Sequence, residues 1–152
     1  MDTLEIHEGG CSFGVVRYQT TGKPERVGVC HCRYCQTRTG SAFGISVYLK
    51  NVNIQKTQRN LNKYQFETES GRSFTQEFCP VCVTTLFWTL EVFDGITRVA
   101  IGSFDPPSFW YDIDREVFCR TNAAWINNDI DEKHDTHPNY KPIAADRDAP
   151  RI

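Results

Sequence analysis

Six of the seven cysteines occupy two close-set motifs and one N-terminal position: Cys30-His31-Cys32-Arg33-Tyr34-Cys35, Cys79-Pro80-Val81-Cys82, and Cys11. Thiols spaced this tightly tie any fold to metal ligation or thiol chemistry. The middle motif sets three thiols within six residues, one more than a simple knuckle needs. A structural zinc site is usually closed by four protein ligands, whereas a catalytic site leaves one position open. The triple cluster therefore predicts the open kind, while the Cys79/Cys82 knuckle must find partners elsewhere, with Cys11 the obvious one. A disulfide framework is the weaker reading, because the count is odd and the spacing is C-x-x-C.

The chain is 152 residues long, enough for one domain with a real core. Its 17 basic and 19 acidic residues leave a net charge of -2, with none of the clustered basicity of a nucleic-acid binder. Met1 to His7 lacks the apolar run of a signal peptide, and no stretch is long enough to span a bilayer. A cytoplasmic protein without nucleic-acid or membrane partners is the expectation.

The pattern along the chain is one of short strands between turns. Ser12 to Gln19, Arg26 to Cys30, Phe43 to Leu49, Leu61 to Phe66 and Ser73 to Phe78 are rich in β-branched and aromatic residues. Thr85 to Val92, Arg98 to Phe104 and Glu116 to Thr121 continue the series, with Asp94-Gly95 and Asp105-Pro106-Pro107 between them. Cys32 to Gly40 reads as a short helix or turn stopped by Gly40. The fold class is thus mainly β. From Asn127 the composition turns polar, so residues 1–128 are assigned to the zinc-binding domain and 129–152 to a tail packed on it.

Zinc is the default metal for such thiol sets, since soft sulfur and tetrahedral geometry suit it. Three thiolates around Zn²⁺ leave a net negative charge, which blunts Lewis acidity toward water; histidine-rich sites are better at making hydroxide. A thiolate-rich zinc instead suits holding a substrate sulfur, which then attacks an aldehyde or leaves from a hemithioacetal. Arg33 and Arg38 flank the cluster and are the candidates for offsetting charge or holding substrate carboxylates. Two other readings compete: a non-catalytic zinc-stabilised module that binds a protein or small-thiol partner, and a redox dithiol at Cys32 and Cys35.

Three cysteine motifs in order, and a late strand after them, resemble one family. Gly9-Gly10-Cys11-Ser12-Phe13-Gly14-Val15-Val16-Arg17-Tyr18 is similar to the Gly-x-Cys-x-Cys-Gly-x-Val opening of the glutathione-dependent formaldehyde-activating enzymes, a family that includes centromere-protein-V-like domains. Cys30-His31-Cys32-Arg33-Tyr34-Cys35-Gln36, Phe78-Cys79-Pro80-Val81-Cys82 and Ile101-Gly102-Ser103-Phe104-Asp105 resemble its later motifs. The resemblance implies an Mss4-like β-tent of short antiparallel strands with two zinc ions. It assigns Cys30, Cys32 and Cys35 to a catalytic zinc at the glutathione site, and Cys11, Cys79 and Cys82 to a structural zinc. The implied activity is that of a carbon–sulfur lyase acting on S-(hydroxymethyl)glutathione or a related small-thiol adduct.

Two departures fall on the structural set. Phe13 stands where the family has a second cysteine, and Val83 where it has glycine. Three outcomes are open: a three-cysteine zinc completed by water, one completed by a histidine such as His7, or no zinc, with Phe13 filling the space. His31, between two ligands, is expected to point away from both by strand alternation. Cys119 reads as a packed strand residue, the pair His134 and His137 as tail residues, and Phe109, Trp110, Tyr111 and Trp125 as core.

Overall fold

The short strands of this chain, three to seven residues each, cannot bury a core singly, so they pair into two sheets. The structure, a computed structural model, describes residues 4–57 and 60–143. Strands β1 (Ile6–Gly10), β2 (Arg17–Thr21) and β5 (Ile54–Lys56) form a small antiparallel sheet in the order β1-β2-β5. The large sheet contains β3 (Arg26–Cys30), β4 (Gly44–Lys50), β6 (Asn62–Glu67), β7 (Ser73–Phe78), β8 (Thr85–Leu90), β9 (Ile96–Ala100) and β10 (Arg115–Val117). Its order is β10-β3-β4-β9-β8-β7-β6, antiparallel except for the β10–β3 pair. The fold is mainly β, as expected, with one α-helix among the described residues, α1 (Arg33–Thr39), and a few 3-10 turns.

Register decides what each face of the large sheet does. Along β4, Val47 and Leu49 are fully enclosed and join Val27, Phe87 and Val99 in the core. Tyr18 and Val16 close that core from the small sheet's side, with Phe104 and the partly buried Trp110 and Tyr111. Side chains alternate along a strand, so Gly44, Ser46 and Tyr48 point to the opposite face. Cys30 is paired with Gly44, Arg98 with Tyr48, and Trp88 with Arg98. These residues form a second, more polar face.

That second face is partly covered by α1 and by the C-terminal segment. Helix α1 starts at Cys32, whose sulfur accepts the Cys35 N–H at 3.4 Å. It stops at Gly40, which takes the left-handed conformation (φ 66°) that glycine adopts without a Cβ clash. Tyr34 docks the helix on the β6–β7 hairpin by stacking on Phe66, 5.1 Å between ring centroids. Arg38 lays its guanidinium over Trp88 at 3.6 Å. Downstream, Glu116 exchanges backbone hydrogen bonds with Glu132 and His134, both at 2.9 Å, which adds the C-terminal segment to the β10 edge. The segment then crosses to the β6–β7 turn, where the Ile143 N–H donates to the Glu69 carbonyl at 2.7 Å.

Several expected boundaries shift, for physical reasons. The expected strand from Ser12 becomes a turn, with Gly14 at φ 89° and its N–H on the Cys11 carbonyl, and only Arg17–Thr21 extends. The strands expected through Phe104 and Thr121 end early in 3-10 turns at Ile101–Ser103 and Cys119–Thr121. Cys119 therefore sits in a turn rather than a strand. Of the aromatics expected in the core, Trp110 and Tyr111 pack there, whereas Phe109 and Trp125 are largely exposed.

Candidate functional site

Both cysteine sets come together. The sulfurs of Cys30, Cys32 and Cys35 lie within 4.8 Å of one another, and so do those of Cys11, Cys79 and Cys82. Tetrahedral zinc with bonds of about 2.3 Å sets its sulfurs about 3.8 Å apart. Each cluster needs to tighten by no more than about 1 Å to meet that spacing, so both donor sets fit zinc by size and by softness.

The first cluster is built from the end of β3 and the first turn of α1. Cys30 is half-buried, Cys32 and Cys35 buried. Hydrogen bonds from Cys30 and Cys32, helped by the charge of Arg38, hold the Cys35 thiol well below its usual range. The same bonds to Cys30 and Cys35, together with burial, push Cys32 well above it.

The second cluster belongs to the core side. Cys11 and Cys79 are core residues, 7% and 0% exposed. Cys79 sits in a knuckle: its sulfur accepts the N–H groups of Val81 at 3.3 Å and Cys82 at 3.5 Å, and its carbonyl accepts the Val83 N–H. Val83 adopts φ 65°, the left-handed conformation that the missing glycine would take without strain. The Thr84 hydroxyl, 3.1 Å from the Cys82 sulfur, draws that thiol down to about 6. Two of the expected completions do not occur. Phe13 is 68% exposed and fills no ligand space, and His7 instead stacks on Trp110 at 3.5 Å between ring centroids. Neither joins the three thiols, which have no fourth Cys, His, Asp or Glu ligand among the described residues.

Only the first cluster opens on the second face of the sheet. There Cys30, Cys32 and Cys35 line a cavity of about 330 Å³, within the range typical of small-molecule sites. The floor is the strand row Ser46, Tyr48, Arg98 and Leu90; Tyr34, Glu69 and Phe93 form walls, and His137 and Tyr140 of the C-terminal segment roof it. Glu69, 7% exposed, accepts hydrogen bonds from the hydroxyls of Tyr34 and, at 3.2 Å, Tyr140. The two flanking arginines singled out from sequence are placed elsewhere. Arg33 is exposed and donates to Gln36 at 3.2 Å, while Arg38 lies between Trp88 and Cys35, and neither lines the cavity. The cations that do are Arg72, Arg98 and Lys141.

His31 points to the core side of the sheet edge. Its Nε2 meets the Glu116 carboxylate at 2.5 Å, and both side chains are almost wholly buried (0% and 1% exposed). Burial pushes Glu116 up, but the bonds from His31 and Asn128 and the charge of Lys133 outweigh it and hold the carboxyl below its usual range. The pair braces the strand that delivers Cys30. Within the C-terminal segment, His134 pairs with Glu132 and His137 with Arg115, and among the described residues the two histidines join no metal-ligand cluster. Sequence reasoning missed Glu69, Arg98 and His137, which come from three distant segments. Only Arg98 left a local signal, as the one charge in the apolar strand Ile96–Ala100.

No helix among the described residues is long and apolar enough to cross a membrane. No curated protein matches the chain. A crystal structure of a Rhodobacter sphaeroides protein is similar in fold, with a TM-score of 0.52 and 18% identity over 68% of this chain and 95% of that one. Residues 6–121 match the family model described as glutathione-dependent formaldehyde-activating enzyme. With that match spanning most of the chain and both cysteine sets assembled in space, the protein belongs to the glutathione-dependent formaldehyde-activating enzyme family.

Proposed function

We propose that the chain is a zinc-dependent carbon–sulfur lyase, or its reverse, acting on the adduct of a small thiol such as glutathione with an aldehyde. One observation carries the reading: the thiols of Cys30, Cys32 and Cys35 line a cavity of ligand size, whereas Cys11 and Cys79 are packed into the core. Those three residues would hold the catalytic zinc, and Cys11, Cys79 and Cys82 the structural one. Zinc bound by three thiolates supplies a position for a substrate sulfur held as thiolate. In the synthetic direction that sulfur forms a bond to the aldehyde carbon, the carbonyl π pair moves to oxygen, and the oxygen takes a proton. The hydroxyl–carboxylate cluster of Tyr34, Glu69 and Tyr140 lines the cavity and is the proton-holding group suited to that oxygen. The apolar walls, Phe74, Leu90 and Phe93, limit access of water.

The test is zinc content per chain together with turnover of a glutathione–formaldehyde mixture. Cys30→Ser and Cys32→Ser are expected to lose one zinc equivalent and all turnover while staying folded. Cys79→Ser is expected to lose stability, because its sulfur sits in the core. If turnover persists in both Cys30→Ser and Cys32→Ser, the enzyme reading fails. If loss of the first zinc unfolds the chain, the cluster is structural and the module reading takes its place.

A further inference from the structure

Arg98 is the buried cation of the cavity, and among the described residues it has no counter-ion. Arg98 is 9% exposed and stands on the cavity face of β9, opposite Tyr48 and Trp88 in register. Its guanidinium lies 4.4 Å from the Tyr48 ring centroid and 5.0 Å from that of Phe93. Among the described residues it makes no ion pair and no hydrogen bond to a protein acceptor; rings are its partners. Burying a charge without a partner is costly, and two aromatic faces offset that cost only in part. The charged groups around it leave the position unmatched. Glu69 is occupied by two tyrosine hydroxyls. Burial and the charges of Arg115 and Arg98 push His137 down to about 4, so it is neutral at physiological pH. Arg72 and Lys141 are exposed residues lining the same cavity, and both are cations.

We infer that Arg98 anchors a carboxylate of the substrate, so that the cavity selects thiols and thiol adducts carrying an anionic group several bonds away from sulfur. The inference rests on the reading of Cys30, Cys32 and Cys35 as the sulfur-binding site. Cys30 pairs with Gly44 and Arg98 with Tyr48, four residues further along β4. At about 3.4 Å per residue the two positions are offset by about 14 Å along the strand. A compact neutral thiol cannot touch both. In an extended peptide thiol each residue beyond the cysteine adds up to about 3.5 Å, so its carboxylate covers part of the gap and the arginine side chain spans the rest. Guanidinium also offers the paired donors that match a carboxylate.

The experiment is calorimetric titration of the zinc-loaded protein with glutathione and with its diethyl ester, which keeps the thiol and lacks both carboxylate charges. Wild type is expected to prefer glutathione by about 10- to 100-fold, the range of one charge-assisted hydrogen-bonded pair. Arg98→Gln is expected to bind the two within about threefold of each other. Arg98→Lys, which keeps the charge and the fold but not the paired donors, is expected to lose most of the preference. A full preference retained in either variant, or equal binding of acid and ester by wild type, overturns the role of Arg98 and leaves the sulfur site standing. Wild type that binds neither compound overturns the sulfur-site reading, and this inference with it.

Discussion

Removing the Glu116 carboxylate is expected to destabilise the chain more than any surface change. The side chain is 1% exposed, and its Oε1 accepts both His31 Nε2 at 2.5 Å and Asn128 Nδ2 at 2.8 Å. His31 is fully buried, and its other ring nitrogen has no hydrogen-bond partner among the described residues. Glu116→Ala therefore leaves an imidazole sealed in the core with neither nitrogen satisfied, Asn128 without an acceptor, and Lys133 without its ion-pair partner. Removing one partner of a buried pair whose carboxylate is held ionised costs about 3–5 kcal/mol. Against a total of about 5–15 kcal/mol for a domain, that is a large share. At about 2–4 °C per kcal/mol for a chain of this size, the melting temperature should fall by roughly 6–20 °C. Glu116→Gln keeps the volume and an acceptor oxygen, so its loss should be about 1–2 kcal/mol. Urea unfolding of the zinc-loaded wild type and both variants, read by tryptophan fluorescence, measures the difference. A Glu116→Ala variant within about 1 kcal/mol of wild type, or no gap between the two substitutions, would refute the bracing role.

Three further outcomes follow from local geometry. Val83 holds φ 65° with 66% of its surface exposed, so Val83→Gly relieves about 1–2 kcal/mol of left-handed strain. Glycine's own entropy cost offsets part of this, and the net gain should be about 0.5–1 kcal/mol by thermal denaturation. Gly9→Ala should cost about 1–3 kcal/mol, since a Cβ there would stand 2.3 Å from the Tyr18 hydroxyl and 2.5 Å from the Ser103 carbonyl oxygen. His137, pushed by burial from 6.5 to about 4, binds its proton more readily when unfolded. Its contribution is complete above about pH 6.5 and lost as pH falls toward 4, with a slope of up to about 1.4 kcal/mol per pH unit. His137→Gln should flatten that part of the stability–pH curve, and an unchanged slope would show that the titration belongs to other groups.

Much of the architecture was legible where local chemistry and tertiary pairing agree. β3 and β7 have the bounds expected, because alternating strands run directly into thiol motifs and are stopped there. Helix α1 was marked by its terminal glycine. β1 and β5 were not visible: one ends in two glycines and the other has three residues, and both exist by pairing with β2. Gly9 is a poor strand former in isolation, yet it is placed where the Tyr18 hydroxyl needs the room. The cysteine sets were legible because ligand spacing is a local pattern. Arg33 and Arg38 drew notice by the same proximity in sequence, but a helical turn aims one at solvent and the other at Trp88. The cavity walls could not be read, since Glu69, Arg98 and His137 meet only after the sheet and the C-terminal segment have closed.

Strand parity explains why two similar thiol clusters have different prospects. Residues 47 and 49 of β4 share a face with the packed core, and Cys11 and Cys79 join that core. A metal there finds aliphatic and aromatic neighbours and a tightly bonded knuckle, surroundings that favour stability over exchange. Residues 46 and 48 share the other face with Cys30, and that face cannot be closed by simple hydrophobic packing because it carries Arg98, Ser46 and Tyr48. Helix α1 and the C-terminal segment cover it only in part, and the remaining space is the cavity. A one-residue shift of register in β3 would exchange Cys30 for Val29 and remove a thiol from the cavity. The register of β3 is fixed within the strand by Val27 against Val47 in the core and just past its end by His31 with Glu116. The placement of the Cys30 thiol therefore depends on packing on the opposite face of the same sheet, so core substitutions at Val27 or Val47 should perturb metal binding without touching any ligand.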